Sequence, residues 1–243
     1  MYNLFKREIH GFFSSFTGYV VILVFILLTG LFMWIFEGQM NVLENSYASL
    51  DTLFSLAPWV FLFLVPAITM RMIAEEKRTG TLELLLSRPV SEMQIILAKF
   101  LASWVLILIA LIPTVIFYIS VWLLGSPKGN IDTGGTMGSY TGLLFLGGIY
   151  AAVGLFSSAV SGNQIIAFIL SVILCFTFYL GFDFISNIAT SGQTALFISR
   201  LGIDFHYQSI SRGVIDSRDI IYFFSVIFFF LFLTRTVLLS RKW

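Results

Sequence analysis

Residues 71–99 read RMIAEEKRTGTLELLLSRPVSEMQIILAK, and no other stretch of the chain crowds charge in this way. Arg71, Lys77, Arg78, Arg88 and Lys99 alternate with Glu75, Glu76, Glu83 and Glu92, while long runs almost free of charge lie on both sides. A helix needs about 20 apolar residues to cross the hydrocarbon layer. A charged segment between two such runs belongs in water, because charge inside lipid is costly. The chain is therefore expected to cross a membrane on either side of this stretch. Composition agrees: 58% of residues are hydrophobic and 11% charged, where a soluble domain has about 25% charged. A transmembrane barrel would show strands of about ten residues with alternating polarity, and these apolar runs are continuous. The fold class that follows is an all-α polytopic membrane protein.

Six apolar runs qualify as spans, at residues 17–36, 54–73, 100–124, 139–160, 165–185 and 219–239. Residues 1–16 place Leu4, Phe5, Ile9, Phe12, Phe13 and Phe16 among Lys6, Arg7, Glu8 and His10, the pattern of a helix lying in the membrane interface. The run at 17–36 exceeds the core of a signal peptide and ends WIFEGQ without a small-residue cleavage site, so it reads as a retained first span. Pro58 falls in the first turn of the second span, and Pro66 is expected to kink its interior. Gly147, Ala151, Gly154 and Ser158 recur at spacings of 4, 3 and 4 in the fourth span, a face of small residues that lets another helix approach. Residues 186–218 mix apolar and charged residues with no span-length run, and read as short half-buried helices before the last span.

Charge orients these spans. With six, both termini share a side with the 74–99 segment. Lys6, Arg7, Arg71, Lys77, Arg78, Arg88, Lys99, Arg241 and Lys242 lie there, and Arg235 can snorkel to it. Lys128, Arg200, Arg212 and Arg218 lie opposite. Basic residues concentrate on the cytoplasmic side, so both termini are expected in the cytoplasm and residues 186–218 outside.

Within the charged stretch, Gly80 is placed to end a helix that continues from the second span. Thr81–Ser87 then forms a short helix with Leu82, Leu85 and Leu86 on one face. Pro89 stops it and pushes Arg88 away from helical angles, and Ser91 with Gln94 makes a capping box for the next helix. Such a helix is either a lid on the chain's own helix ends or a knob for a cytosolic partner.

Much chemistry is missing. No Gly-Lys dipeptide occurs, so there is no P-loop of the GxxxxGK[ST] type. His10 and His206 fall on opposite sides of the membrane and Cys175 is the single cysteine, so neither a clustered metal site nor an intrachain disulfide is indicated. No span contains histidine, Asp183 lies near the end of one, and Asp219 with Asp216 fits the start of the last helix, which argues against an intramembrane protease. Glu37, Arg71, Asp183 and Arg235 all sit near span ends, leaving no midplane ion path. A net charge of +1 gives no pull toward nucleic acid.

The run EEKRTGTLELLLSRPVS, followed by ILAK, resembles the ABC-2 family of transporter permeases. FKREIHGFFSSFTGYV near the start, and ISRGVIDSRDIIYF with LSRKW at the end, resemble the family's interfacial helix and last span. Within the family the likeness is greatest to the branch associated with gliding motility. The resemblance implies one transmembrane domain over residues 1–243, in a bacterial inner membrane. It makes Gly80, Thr81, Leu82, Glu83, Leu85, Leu86, Arg88 and Pro89 a coupling helix seated in a cytosolic ABC ATPase. Leu82, Leu85 and Leu86 would make the apolar contact, with Glu83 and Arg88 at its rim. It further implies two ATPase copies that bind ATP and Mg, a second copy of the chain or a related permease, and no cofactor or enzymatic activity in this chain itself. A scaffold that acts on a partner outside through residues 186–218, moving no substrate, would use the same helix; a channel or simple structural membrane protein would need no ATPase.

Overall fold

The computed structural model describes residues 1–44, 47–86, 91–188, 192–213 and 216–240, with the backbone alone for Thr17, Leu84 and Leu86. All thirteen regular elements longer than one turn among these residues are α-helices: α1 (Tyr2–Phe13), α2 (Phe16–Trp34), α3 (Asp51–Thr69), α4 (Ala74–Arg78), α5 (Thr81–Leu86), α6 (Glu92–Leu111), α7 (Val115–Leu124), α8 (Thr133–Val160), α9 (Gln164–Phe176), α10 (Phe182–Ile188), α11 (Gly192–Ser199), α12 (Ile203–Ser211) and α13 (Ser217–Leu239). A 3₁₀ turn at Ile112–Thr114 joins α6 to α7, and a π turn at Thr177–Gly181 joins α9 to α10. The protein is an all-α polytopic membrane protein.

Five stretches are long and apolar enough to cross a membrane: Asp51–Arg78, Glu92–Leu124, Thr133–Val160, Gln164–Ile188 and Ser217–Leu239. A sixth is counted when the pair Tyr2–Phe13 and Gly18–Trp34, bent by 66°, is taken as one. The 19 residues of α2 alone span roughly 28 Å at about 1.5 Å each, close to the hydrocarbon thickness of about 30 Å. The bend is tight: a Cβ on Gly18 would lie 2.5 Å from the Phe12 carbonyl oxygen, so only glycine fits where α2 leaves α1.

Two helices start earlier than the apolar runs suggest, and one span is interrupted within. The third span begins at Glu92, eight residues before the uncharged run, because the capping box starts the helix while its first turns are still polar. It changes to 3₁₀ around Pro113, which lacks the N–H an α-turn needs. The fourth span begins at Thr133, six residues before its apolar run, within a glycine-rich stretch. Asp132 caps it, its side chain accepting from the Gly135 N–H at 2.9 Å. Packing then offsets the low helix propensity of TGGTMGS: a Cβ on Gly138 would meet the Gly213 Cα at 2.7 Å, so α8 lies close against the end of α12.

Helix α8 is the axis of the bundle, with 78% of its most apolar window buried against 22% in Gln164–Ile188 and 28% in Ser217–Leu239. It packs on α3, α6, α9, α12 and α13. Helix α12, from the segment between the fifth and last spans, buries Ile203, Tyr207 and Ile210 at helical spacing. Tyr207 also resolves a defect: Pro58 has no N–H to give the Phe54 carbonyl, and the Tyr207 hydroxyl donates to that oxygen at 2.7 Å instead. Both prolines remain inside α3, and the break comes after Pro66, at residues 70–73.

Candidate functional site

The site forms where α3 gives way to α4, α5 and α6. Helix α3 ends at Thr69, and α4 resumes at Ala74. The intervening turn is gripped by Ser158 of α8. Its Oγ accepts from the Ile73 and Ala74 N–H groups at 3.1 and 2.9 Å and donates to the Met70 carbonyl at 3.0 Å. One hydroxyl thus satisfies three backbone groups that a broken helix leaves open. The other small residues of this face permit the approach. A Cβ on Gly154 would overlap Thr69 Oγ1, and one on Gly147 would meet Ile107 at 2.9 Å; Ala151 is fully buried.

Beyond the grip, α4 is a short helix with Glu75 and Glu76 in its first turn and Lys77 and Arg78 in its last, charges that suit the helix dipole at both ends. Gly80 follows with φ +71°, the left-handed conformation that ends a helix at least cost in glycine. Thr81 and Glu83 are exposed and Leu85 is half-buried. Leu82 is 6% exposed and belongs to the chain's own core. Two residues past Gly80, its side chain thus packs within the chain, where the resemblance implies a contact with the ATPase. Leu86 closes α5 in its backbone, and Ser87, Arg88, Pro89 and Val90 lie outside the described residues, as do Arg241 and Lys242. The chain resumes at Ser91, whose Oγ accepts from the Gln94 N–H while its own N–H donates to Gln94 Oε1, both at 3.3 Å.

The capping box aims α6 so that Lys99, two turns on, enters the protein rather than water. Its side chain is 1% exposed, so the charged stretch ends in the core and not in solvent. Three oxygens receive the ammonium: Glu8 Oε1 of α1 at 2.9 Å, Glu76 Oε1 of α4 at 3.0 Å and the Met72 carbonyl at 2.6 Å. An ammonium has three donors and no acceptor, so its valence is met. Arg7 of α1 closes the figure, pairing with Glu8 Oε1 at 2.9 Å and Glu76 Oε1 at 2.6 Å. Two cations and two carboxylates form a neutral ring that ties α1, α4 and α6 at one point. Desolvation costs several kcal/mol for a buried ion, so losing a carboxylate partner would leave the buried Lys99 ammonium short of compensation. A cavity of about 350 Å³ lies beside the ring, bordered by Arg7, Phe12, Ile68, Arg71 and Glu76.

The sequence singled out these charges as a group but did not pair them. Glu8 sits in what reads as an interfacial helix, and its partner Lys99 is 91 residues away. Ser158 reads from sequence as a small residue and acts as a cap. The one available signal was Lys99 itself, a lysine in the helix side of an otherwise apolar run.

A profile of the ABC-2 family transporter proteins matches residues 3–214, most of the chain. No curated protein matches it. The chain belongs to the ABC-2 family and is a multi-pass membrane permease subunit of an ABC transporter, a class of membrane subunit whose ATPase resides in a partner.

Proposed function

We propose that this ABC-2 member couples ATP hydrolysis by a separate cytosolic subunit to export, or to mechanical action, across a bacterial inner membrane. In this reading residues 1–243 are one transmembrane domain. Both termini and residues 74–99 face the cytoplasm, two ATPase copies hold ATP and Mg, and a second copy of this chain or a related permease completes the assembly. The segment from Gly80 to Pro89 seats in the ATPase through Thr81, Glu83, Leu85, Leu86 and Arg88, with Leu82 anchoring the segment to its own protein. The observation that supports the reading is the Arg7–Glu8–Glu76–Lys99 ring. It ties the first turn past the second span to the start of the third span and to α1, so a displacement of α4 and α5 moves three elements together. Motion imposed on a six-residue helix would otherwise be lost in its loops.

The likeness of the sequence, within the family, to the gliding-motility branch supports a mechanical role in that process. Helix α11 favours it as a second reading, since Leu196 and Phe197 are 57% and 68% exposed in the segment assigned to the outside. They suit contact with a periplasmic or membrane partner. Replacing Leu85 and Leu86 together by Asp is expected to abolish co-purification with the P-loop ATPase while the chain still inserts in the membrane. Undiminished co-purification would refute the coupling assignment.

A further inference from the structure

At the end of the bundle away from α4, a cleft of about 440 Å³ opens between α3, the π turn and α12. It is lined by Asp51, Trp59, Tyr179, Asp204, Gln208 and Arg212 among others. A second cavity of about 290 Å³ adjoins it and shares Asp51 and Arg212. Charges of both signs face this space without closing on each other: among the described residues no ion pair joins Arg212 to Asp51 or Asp204, the two carboxylates that line the cleft with it. Asp204 accepts from Gln208 Nε2 at 2.6 Å, and Tyr179 lines the same cleft. Burial still raises its pKa, and the nearby charge of Asp183 adds to the rise. The carboxylate is thus held short of a cation. Separated opposite charges around an open cleft are complementary to a molecule that has both signs.

The walls say more about that molecule. Asp51, Ser55, Trp59 and Phe63 are the exposed residues of α3 at four-residue spacing, so they form one stripe. It runs for roughly 18 Å at about 1.5 Å per residue, from a carboxylate through a hydroxyl to an indole and a phenyl ring. Trp59 and Phe63 are 45% and 56% exposed. Trp59 meets Tyr179 edge-on at 6.2 Å, and Tyr179 lies in the π turn, an irregularity found frequently at functional sites. Aromatic faces attract cations, and an indole beside a polar mouth suits the membrane interface. The stripe has the polarity profile of a lipid, charged at its end and apolar below.

We propose that this cleft binds a zwitterionic phospholipid whose headgroup has an ammonium and a phosphate, as phosphatidylethanolamine does. The ammonium sits among Asp51, Asp204 and the rings of Trp59 and Tyr179. The phosphate pairs with the Arg212 guanidinium, and an acyl chain follows Trp59 and Phe63 into the bilayer. An anionic headgroup would meet the carboxylates of Asp51 and Asp204 with no ammonium to offset them. A free zwitterion would leave the aromatic stripe uncovered. The inference goes beyond the ATP-coupled reading and needs only the membrane, so failure here leaves the ATPase co-purification result standing.

The test uses the full-length chain in nanodiscs with a photoactivatable phosphatidylethanolamine, and maps the labelled peptides by mass spectrometry. Labelling is expected in residues 51–63 and 177–181. Arg212→Gln and Asp204→Asn should each lower it about tenfold, the loss of one charge-assisted contact, and Arg212→Lys should keep most of it. Thermal unfolding of each variant in the same discs reports whether it is folded, and only folded variants are compared. A phosphatidylglycerol probe that labels the cleft as strongly would overturn the ammonium half of the proposal. Soluble phosphoethanolamine competing as well as the intact lipid would overturn the lipid half. Labelling absent from the cleft, or unchanged in both charge variants, would overturn the whole.

Discussion

Lys99 and Glu8 stand 91 residues apart in sequence and 2.9 Å apart in space, and the lysine has almost no contact with water. Their ion pair joins the first helix of the chain to the third membrane span.

Lys99→Met is expected to destabilise the protein by about 3–5 kcal/mol, the cost of leaving buried charge unpaired. Glu8 and Glu76 would then share Arg7 alone. Adding Glu8→Gln to Lys99→Met should recover part of the loss, because one fewer carboxylate is stranded. Thermal unfolding in detergent measures both, and a double variant as weak as the sum of two single losses would mean the residues do not act as a ring.

Ser158→Ala removes the acceptor of two buried backbone N–H groups, at Ile73 and Ala74. An unsatisfied buried donor costs about 1–3 kcal/mol, so a loss of about 2–6 kcal/mol is expected for the two. Hydrogen exchange should quicken at those two amides and not at the centre of α8. Equal protection in variant and parent would show that other groups hold the break.

Tyr207→Phe strands the Phe54 carbonyl, which Pro58 cannot serve. A loss of about 1–3 kcal/mol is expected. In a Pro58→Ala background the same change should cost less, since the substituted residue would supply an N–H to Phe54 within the helix. A double-mutant cycle in denaturant reads the difference directly, and zero coupling would disconnect the tyrosine from the proline.

Asp204 gives stability a pH dependence. Burial raises its pKa above the ordinary 3.8, so the folded chain holds the proton more tightly than the unfolded one. Its contribution is therefore complete below 3.8 and is lost as pH rises through the folded value. Asp204→Asn should flatten that fall while keeping an acceptor and a donor for its neighbours. Melting midpoints of parent and variant across the acid range check this, and parallel curves would show that Asp204 titrates as it would in water.

The sequence reading and the structure part company at particular residues, and for a consistent reason. The apolar runs, Gly80 and the Ser91–Gln94 capping box are local: hydropathy, a left-handed turn and a four-residue motif suffice to read them. The inward turn of Leu82 is not local, because i, i+3 spacing says which leucines share a face and not which way the face points. Lys99 is similar. A lysine near a span end snorkels to water by default, and only the placement of Glu8 and Glu76 from two other helices makes burial the better state. The start of α8 at Thr133 was hidden by glycines that disfavour a helix alone and admit one against α12. Ser158 was read for its size, when its hydroxyl had no visible partner until the break after Thr69 was brought beside it.

The burial of α8 has a consequence for how the protein is made. This helix, which grips the turn after α3 and receives α6, α9, α12 and α13, follows the first three apolar runs in the order of synthesis. While those runs are already in the bilayer, the amides of Ile73 and Ala74 have no Ser158 to meet, and the faces of α3 and α6 have no axis to pack on. The early helices can pair among themselves, α1 with α6 and α2 with α3, but the turn after α3 is satisfied and the bundle completed only once residues 133–160 have left the ribosome.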